Sequence, residues 1–100
     1  MVKHIILWKI KEEYSEKEKE EIKAGVKEGL EALKGVVLGL SDIHVQIEAL
    51  DTSNADIMLD SVFENEAALK TYAIHPAHVK VVNEKVRPFM EIRLCMDFEK

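Results

Sequence analysis

Residues 2–11 alternate so that both sides of an extended chain carry apolar groups. Val2, His4, Ile6, Trp8 and Ile10 fall on one side; Ile5 and Leu7 fall on the other with Lys3, Lys9 and Lys11. A strand that is apolar on both faces at its middle belongs in the centre of a sheet, covered twice. The period then changes. Ser15-Glu16-Lys17-Glu18 is a capping box, in which the serine oxygen accepts from the Glu18 amide and the glutamate reaches back. Ile22, Val26, Leu30 and Leu33 follow at helical spacing among Glu and Lys, and Gly35 supplies a stop. Gly25 and Gly29 lie inside this helix, where each costs about 1 kcal/mol relative to alanine. Close packing of the helix on the sheet is the favoured reason for them; room above the sheet for a ligand is the alternative.

Residues 43–50 alternate again, with Ile43, Val45, Ile47 and Ala49 on one face and His44, Gln46 and Glu48 on the other. Asp51-Thr52-Ser53-Asn54 reads as a turn. Residues 55–64 read as the next strand, with Ile57, Leu59 and Phe63 facing one way and Met58 and Val62 the other, beside Asp56 and Asp60. A second helical region, interrupted in its middle, covers residues 65–86. Arg87-Pro88 leads into a last strand with Met90, Ile92, Leu94, Met96 and Phe98 on one face. The order strand, helix, strand, strand, helix, strand predicts one α+β domain over residues 1–100. Its fold is a ferredoxin-like sandwich, a four-stranded antiparallel sheet with the helices on one face. Two helices cover one face only. The apolar residues on the other, Ile5, Leu7, Met58 and Val62, therefore predict a homodimer formed sheet against sheet.

Charge narrows the partners. Nineteen acidic and 14 basic residues give a formal charge of −5, which repels a phosphate backbone, so no nucleic-acid partner is expected. Cys95 is the only cysteine, which rules out an internal disulfide and a multi-cysteine zinc site. Lysines interrupt the first apolar run too early for a signal peptide, and no stretch approaches a membrane span. A cytoplasmic address without membrane association is expected.

The segment Tyr72-Ala73-Ile74-His75-Pro76-Ala77-His78-Val79 carries the candidate chemistry. The residue before a proline avoids helical angles, so His75-Pro76 breaks the helical region, and Pro76 suits the first position of a new helix. His78 then lies in that helix's first turn, where the dipole disfavours imidazolium and keeps a neutral base near pH 7. Tyr72, on the preceding helix, is placed to hydrogen-bond a substrate oxygen. The plainer reading stays open: His75 as a cap, His78 in solvent and Tyr72 packed on the sheet. His4, beside Ile6 and Trp8, reads as a satisfied core histidine and His44 as a surface one. Histidines at 4, 44, 75 and 78 include no helical i,i+4 pair, so no metal site and no cofactor are expected. No phosphate-binding glycine loop, nucleophile elbow or CxxC is present.

Several segments together resemble the stress-responsive dimeric A/B barrel (Dabb) family over nearly the whole chain. They are Val2-Lys3-His4-Ile5, the stretch from Glu64 to Tyr72, His75-Pro76-Ala77-His78-Val79, and Arg87-Pro88. The resemblance implies a ferredoxin-like fold that dimerises through its sheets into a dimeric α+β barrel. One branch of that family, the plant olivetolic acid cyclase, closes a linear polyketide without a cofactor by means of a His/Tyr pair in this element. By that similarity His78 is the general base and Tyr72 positions the substrate. His4, Trp8, Ile57, Leu59 and Val82 would line a pocket for a small apolar or carbonyl-containing ligand between sheet and helices. The chain departs from the cyclase at its third strand, where Ile57 and Leu59 stand in place of a histidine. The competing classes are a ligand carrier without chemistry and an oligomerising stress-response protein.

Overall fold

The computed structural model describes residues 1–100. Strand β1 (Val2–Ile10) leads to helix α1 (Glu16–Glu31), which opens on the capping box: the Glu18 amide donates to Ser15 Oγ at 3.1 Å and the Ser15 amide to Glu18 Oε1 at 2.9 Å. The helix ends at Glu31, four residues before Gly35. The intervening turns deliver Gly35 and Gly39 at φ of +85° and +87°, angles that a side chain disfavours. At Gly39 a Cβ would also lie 2.6 Å from that of Ala68. Strands β2 (Leu40–Gln46) and β3 (Ile57–Phe63) follow. β2 stops earlier than its alternation predicts: Ile47 packs partly against the core, but Ala49 is exposed outside the strand.

The break at His75 is as expected. Helix α2 (Glu66–Ile74) ends there and α3 (Pro76–Val81) begins, with His75 Nδ1 accepting from the Ala77 amide at 3.1 Å. A π-helical turn (Val82–Val86) and a 3-10 turn (Arg87–Phe89) then deliver the chain to β4 (Met90–Glu99). The sheet order is β2-β3-β1-β4, with every neighbouring pair antiparallel, which is the ferredoxin-like arrangement. β1 sits between β3 and β4, the central place its doubly apolar pattern requires.

Alternation decides what each face carries. Val2, His4, Ile6, Trp8 and Ile10 turn towards the helices and are buried with Ile57, Leu59, Phe63, Val26 and Leu30. Gly29 lets α1 approach α3, since a Cβ there would stand 2.9 Å from Val81 Cγ1. Side chains of α1 also satisfy the outer edge of the sheet. The Val45 amide donates to Glu31 Oε2 at 2.9 Å, and Lys27 Nζ donates to the Val45 carbonyl at 2.8 Å. That occupies backbone groups of an edge strand that would otherwise pair with another chain. The opposite face of the sheet is open. Leu7 lies opposite both Met58 and Leu94, and Ile5 opposite Met96. Leu94 and Met96 are 62% and 66% exposed, and Leu7, Ile92 and Phe98 are exposed beside them. No helix is long and apolar enough to cross a membrane.

Candidate active site

The helices cover β2, β3 and β1 but leave β4 exposed along its length. Between β4 and the α2–α3 break lies a cavity of about 500 Å³. Strand β1 contributes His4, Ile6 and Trp8 to it, β3 contributes Leu59, and α2 contributes Leu69, Tyr72 and Ala73. Leu30 of α1, His78 of α3, Val82 and Val86 of the π-helical turn, and Arg87, Met90, Glu91, Ile92 and Arg93 complete the wall. Most of this lining is apolar, and the polar groups gather at few points, as in sites for small organic ligands.

The helix break brings Tyr72 and His78 together. Six residues of unbroken helix do not return a side chain to the same point. Here α2 ends and α3 restarts, and the two rings stack with centroids 4.0 Å apart at 35°. Phe63 lies 4.9 Å from Tyr72 and His4 6.2 Å from it, ring centre to ring centre. Tyr72 is 1% exposed, and its hydroxyl is buried with no hydrogen-bond partner. Burial pushes that phenol well above its usual range, because the phenolate would be unsolvated. The hydroxyl therefore stays protonated as a donor.

His78 is half-buried, and its Nδ1 lies 3.3 Å from the Ala73 carbonyl oxygen. A carbonyl only accepts, so this bond fixes the neutral tautomer with the proton on Nδ1 and leaves Nε2 basic. Burial lowers the His78 pKa below the usual histidine value. The Ala73 bond works the other way, and the charges of His4 and Arg93 reinforce the lowering. A neutral imidazole with a free lone pair thus lies against a protonated, unpartnered phenol.

His4 is held differently. Its Nδ1 is hydrogen-bonded to Asp97 Oδ1, the residue directly opposite it on β4. Cys95 Sγ stands 3.8 Å from the same nitrogen and 3.6 Å from Asp97 Oδ1. Asp97 does not stand out in the sequence, and Cys95 does so only as the single cysteine, with nothing to place it beside His4. Their signal is the alternation of β4, which puts Arg93, Cys95, Asp97 and Glu99 on the helix side, combined with the antiparallel pairing of first and last strands.

The match to known proteins now bears on this arrangement. The family described as Stress responsive A/B Barrel Domain (Dabb) matches residues 2–100. The chain belongs to the Dabb family. A Bacteroides fragilis protein described as dimeric, of unknown function and with a ferredoxin-like fold is 32% identical, with a TM-score of 0.92 over 99% of this chain and 95% of that one. A Dabb family protein of Mesorhizobium loti with a ferredoxin-like fold is 20% identical, with a TM-score of 0.73 over 99% and 95%. The hydroxynitrile lyase of Passiflora edulis is 16% identical, with a TM-score of 0.74 over 97% and 90%. No curated protein matches the chain.

Of the residues singled out in the sequence, this Dabb domain brings His4, Trp8, Leu59, Tyr72, His78 and Val82 to one cavity. Ile57 does not reach it. The cavity lies over β1 and β4 and touches β3 only at Leu59; Ile57, opposite Trp8, is buried in the core instead. Gly25 and Gly29 do not border the cavity either: Gly29 lets α1 pack against Val81, and Gly25 borders a separate depression beside Glu84 and Lys85. His75 is a cap and His44 is exposed beside Glu31.

Proposed function

We propose that this Dabb domain is a homodimer that binds a small apolar, carbonyl-containing compound between sheet and helices and performs cofactor-independent acid/base chemistry on it. His78 Nε2 takes the proton next to the carbonyl, and the Tyr72 hydroxyl donates to the oxygen as charge develops there. The observation that carries this reading is the stacked pair itself: a neutral imidazole against a buried phenol whose hydroxyl has no partner. A buried hydroxyl left unpaired costs about 1–3 kcal/mol, a cost that a bound acceptor would remove. The dimer in this proposal forms through the face carrying Leu7, Met58, Leu94 and Met96, and the dimeric Bacteroides relative supports it.

The experiment is proton exchange. A panel of small apolar ketones and β-dicarbonyl compounds is incubated with the protein in deuterated water, and loss of the α-proton signal is followed by NMR. Exchange should be accelerated by the protein and lost in both His78→Gln and Tyr72→Phe. Binding without accelerated exchange would establish a carrier and overturn the catalytic reading. Exchange that survives both substitutions would move the chemistry to other residues.

A further inference from the structure

We infer that His4, Cys95 and Asp97 form a binding site for one divalent zinc-class cation on the helix side of β4. The inference does not rest on the acid/base reading, because it uses neither Tyr72 nor His78. Cys95 and Asp97 are two apart on one strand, so they point the same way, and His4 stands directly opposite Asp97 on β1. Two ligands at i and i+2 on one strand and a third on its neighbour are fixed by backbone register, which reduces the side-chain ordering that binding requires. The three donor atoms already lie within 4.8 Å of one another.

The distances fit the ion. With Zn–S of about 2.3 Å and Zn–N or Zn–O of about 2.0–2.1 Å, two ligands at the tetrahedral angle stand about 3.6 Å apart. Cys95 Sγ is 3.8 Å from His4 Nδ1 and 3.6 Å from Asp97 Oδ1. The remaining edge, from His4 Nδ1 to Asp97 Oδ1, is a hydrogen bond, which the cation replaces as the proton leaves. The carboxylate has the freedom to open that edge, since the Asp97 side chain is 43% exposed whereas His4 is fixed by burial.

The donor set selects the metal. Magnesium and calcium take oxygen ligands, whereas imidazole, thiolate and carboxylate together suit zinc and its neighbours. Thiolate and carboxylate bring two negative charges and imidazole none, so a dication makes the site neutral and Arg93, two residues before Cys95, does not repel it. A depression of about 430 Å³, bordered by His4, Cys95, Asp97, Lys70 and Arg93, opens beside the donors. It leaves the fourth position for water or an anionic ligand, the open coordination of sites that act on what they bind.

The test uses the untagged full chain, reduced, with Co2+ as a spectroscopic probe and Zn2+ in calorimetry. One Co2+ per chain should bind with the strong visible bands of a tetrahedral ion and a thiolate-to-cobalt charge-transfer band. Cys95→Ser should abolish the charge-transfer band and weaken Zn2+ binding by about 100-fold, one ligand's share of a zinc site. Asp97→Asn should weaken it too, and His78→Gln should leave it unchanged. Alkylating Cys95 in the folded protein is a second route to the same loss if the serine variant does not fold. A weak octahedral spectrum that Cys95→Ser leaves unchanged would overturn the assignment, as would binding that depends on His78.

Discussion

Removing the Tyr72 hydroxyl should make this protein more stable and less able to act on a carbonyl. In most cores Tyr→Phe breaks a hydrogen bond and costs about 0.5–1.5 kcal/mol. Here the hydroxyl is buried without a partner, so the folded state carries a desolvation cost of about 1–3 kcal/mol that phenylalanine does not. The ring contacts with His78 and Phe63 are kept, which isolates the effect of one oxygen. A gain of 1 kcal/mol raises the urea midpoint by roughly 0.3–1 M, given the usual denaturant slopes of about 1–3 kcal/mol/M. For a domain of this length the same gain raises Tm by roughly 4–8 °C. Trp8 is the only tryptophan and is buried, so its fluorescence reports global unfolding directly. Wild type and variant must be compared at one protein concentration, because association of a dimer adds to apparent stability. A Tyr72→Phe variant that lost 1 kcal/mol or more would show that the hydroxyl is bonded in the folded protein, and the stacked pair would lose its poised donor.

Three other outcomes follow from the same structure. Leu7→Asp places a charge at the centre of the open sheet face, opposite Met58 and Leu94; an unpaired charge buried in an interface costs several kcal/mol, so the dimer measured by light scattering should dissociate at least about 100-fold more readily. Gly25→Ala and Gly29→Ala should differ in sign: a Cβ at Gly25 meets only Lys85 Cδ at 3.7 Å, so the helix gains about 0.5–1 kcal/mol in thermal unfolding, whereas at Gly29 the 2.9 Å approach of the stiff Val81 side chain cancels or reverses that gain. Burial lowers the folded-state pKa of His78, so the unfolded chain binds its proton more readily. The histidine's contribution to stability is therefore complete above about pH 6.5 and falls as pH drops from there through the lowered folded value, and proton exchange at a carbonyl should fall over the same lowered range as the base is protonated; a flat profile there would remove His78 as the base.

What the sequence makes legible is what local physics decides. The doubly apolar alternation of residues 2–10 places β1 in the centre of the sheet without reference to any other segment, and the capping box marks the start of α1 to the residue. His75-Pro76 predicts the helix break, because a proline's constraint on its predecessor needs no tertiary context. Where each strand stops is different. Residues 47–50 continue the alternation of β2, yet β3 begins only at Ile57 and Gln46 already stands opposite Met58, so no β3 residue remains for 48–50 to pair with. The limits of the site have the same origin. Alternation assigns Ile57 and Leu59 to the same face equally, and only the position of the cavity over β1 and β4 separates them.

The pairing of His4 with Asp97 shows the boundary most sharply. The two are 93 residues apart in sequence and adjacent in space, because β1 and β4 meet in one fixed register. Spacing along the chain makes His4 look like a lone core histidine, and by burial it is one. The register gives it a carboxylate and a thiol as neighbours, on a strand that the helices leave uncovered. The unpaired Tyr72 hydroxyl arises in the same way, since no local rule demands that a tyrosine at the end of α2 be fully buried. The break at His75 turns His78 onto its ring, and Phe63 of β3 packs against it too. Both features depend on contacts between distant segments, and both leave polar groups in arrangements that packing alone does not require. Consistency between local preference and global fold holds through most of this domain; its two lapses lie at neighbouring cavities that share His4, where bound groups are the simplest physical reason for them.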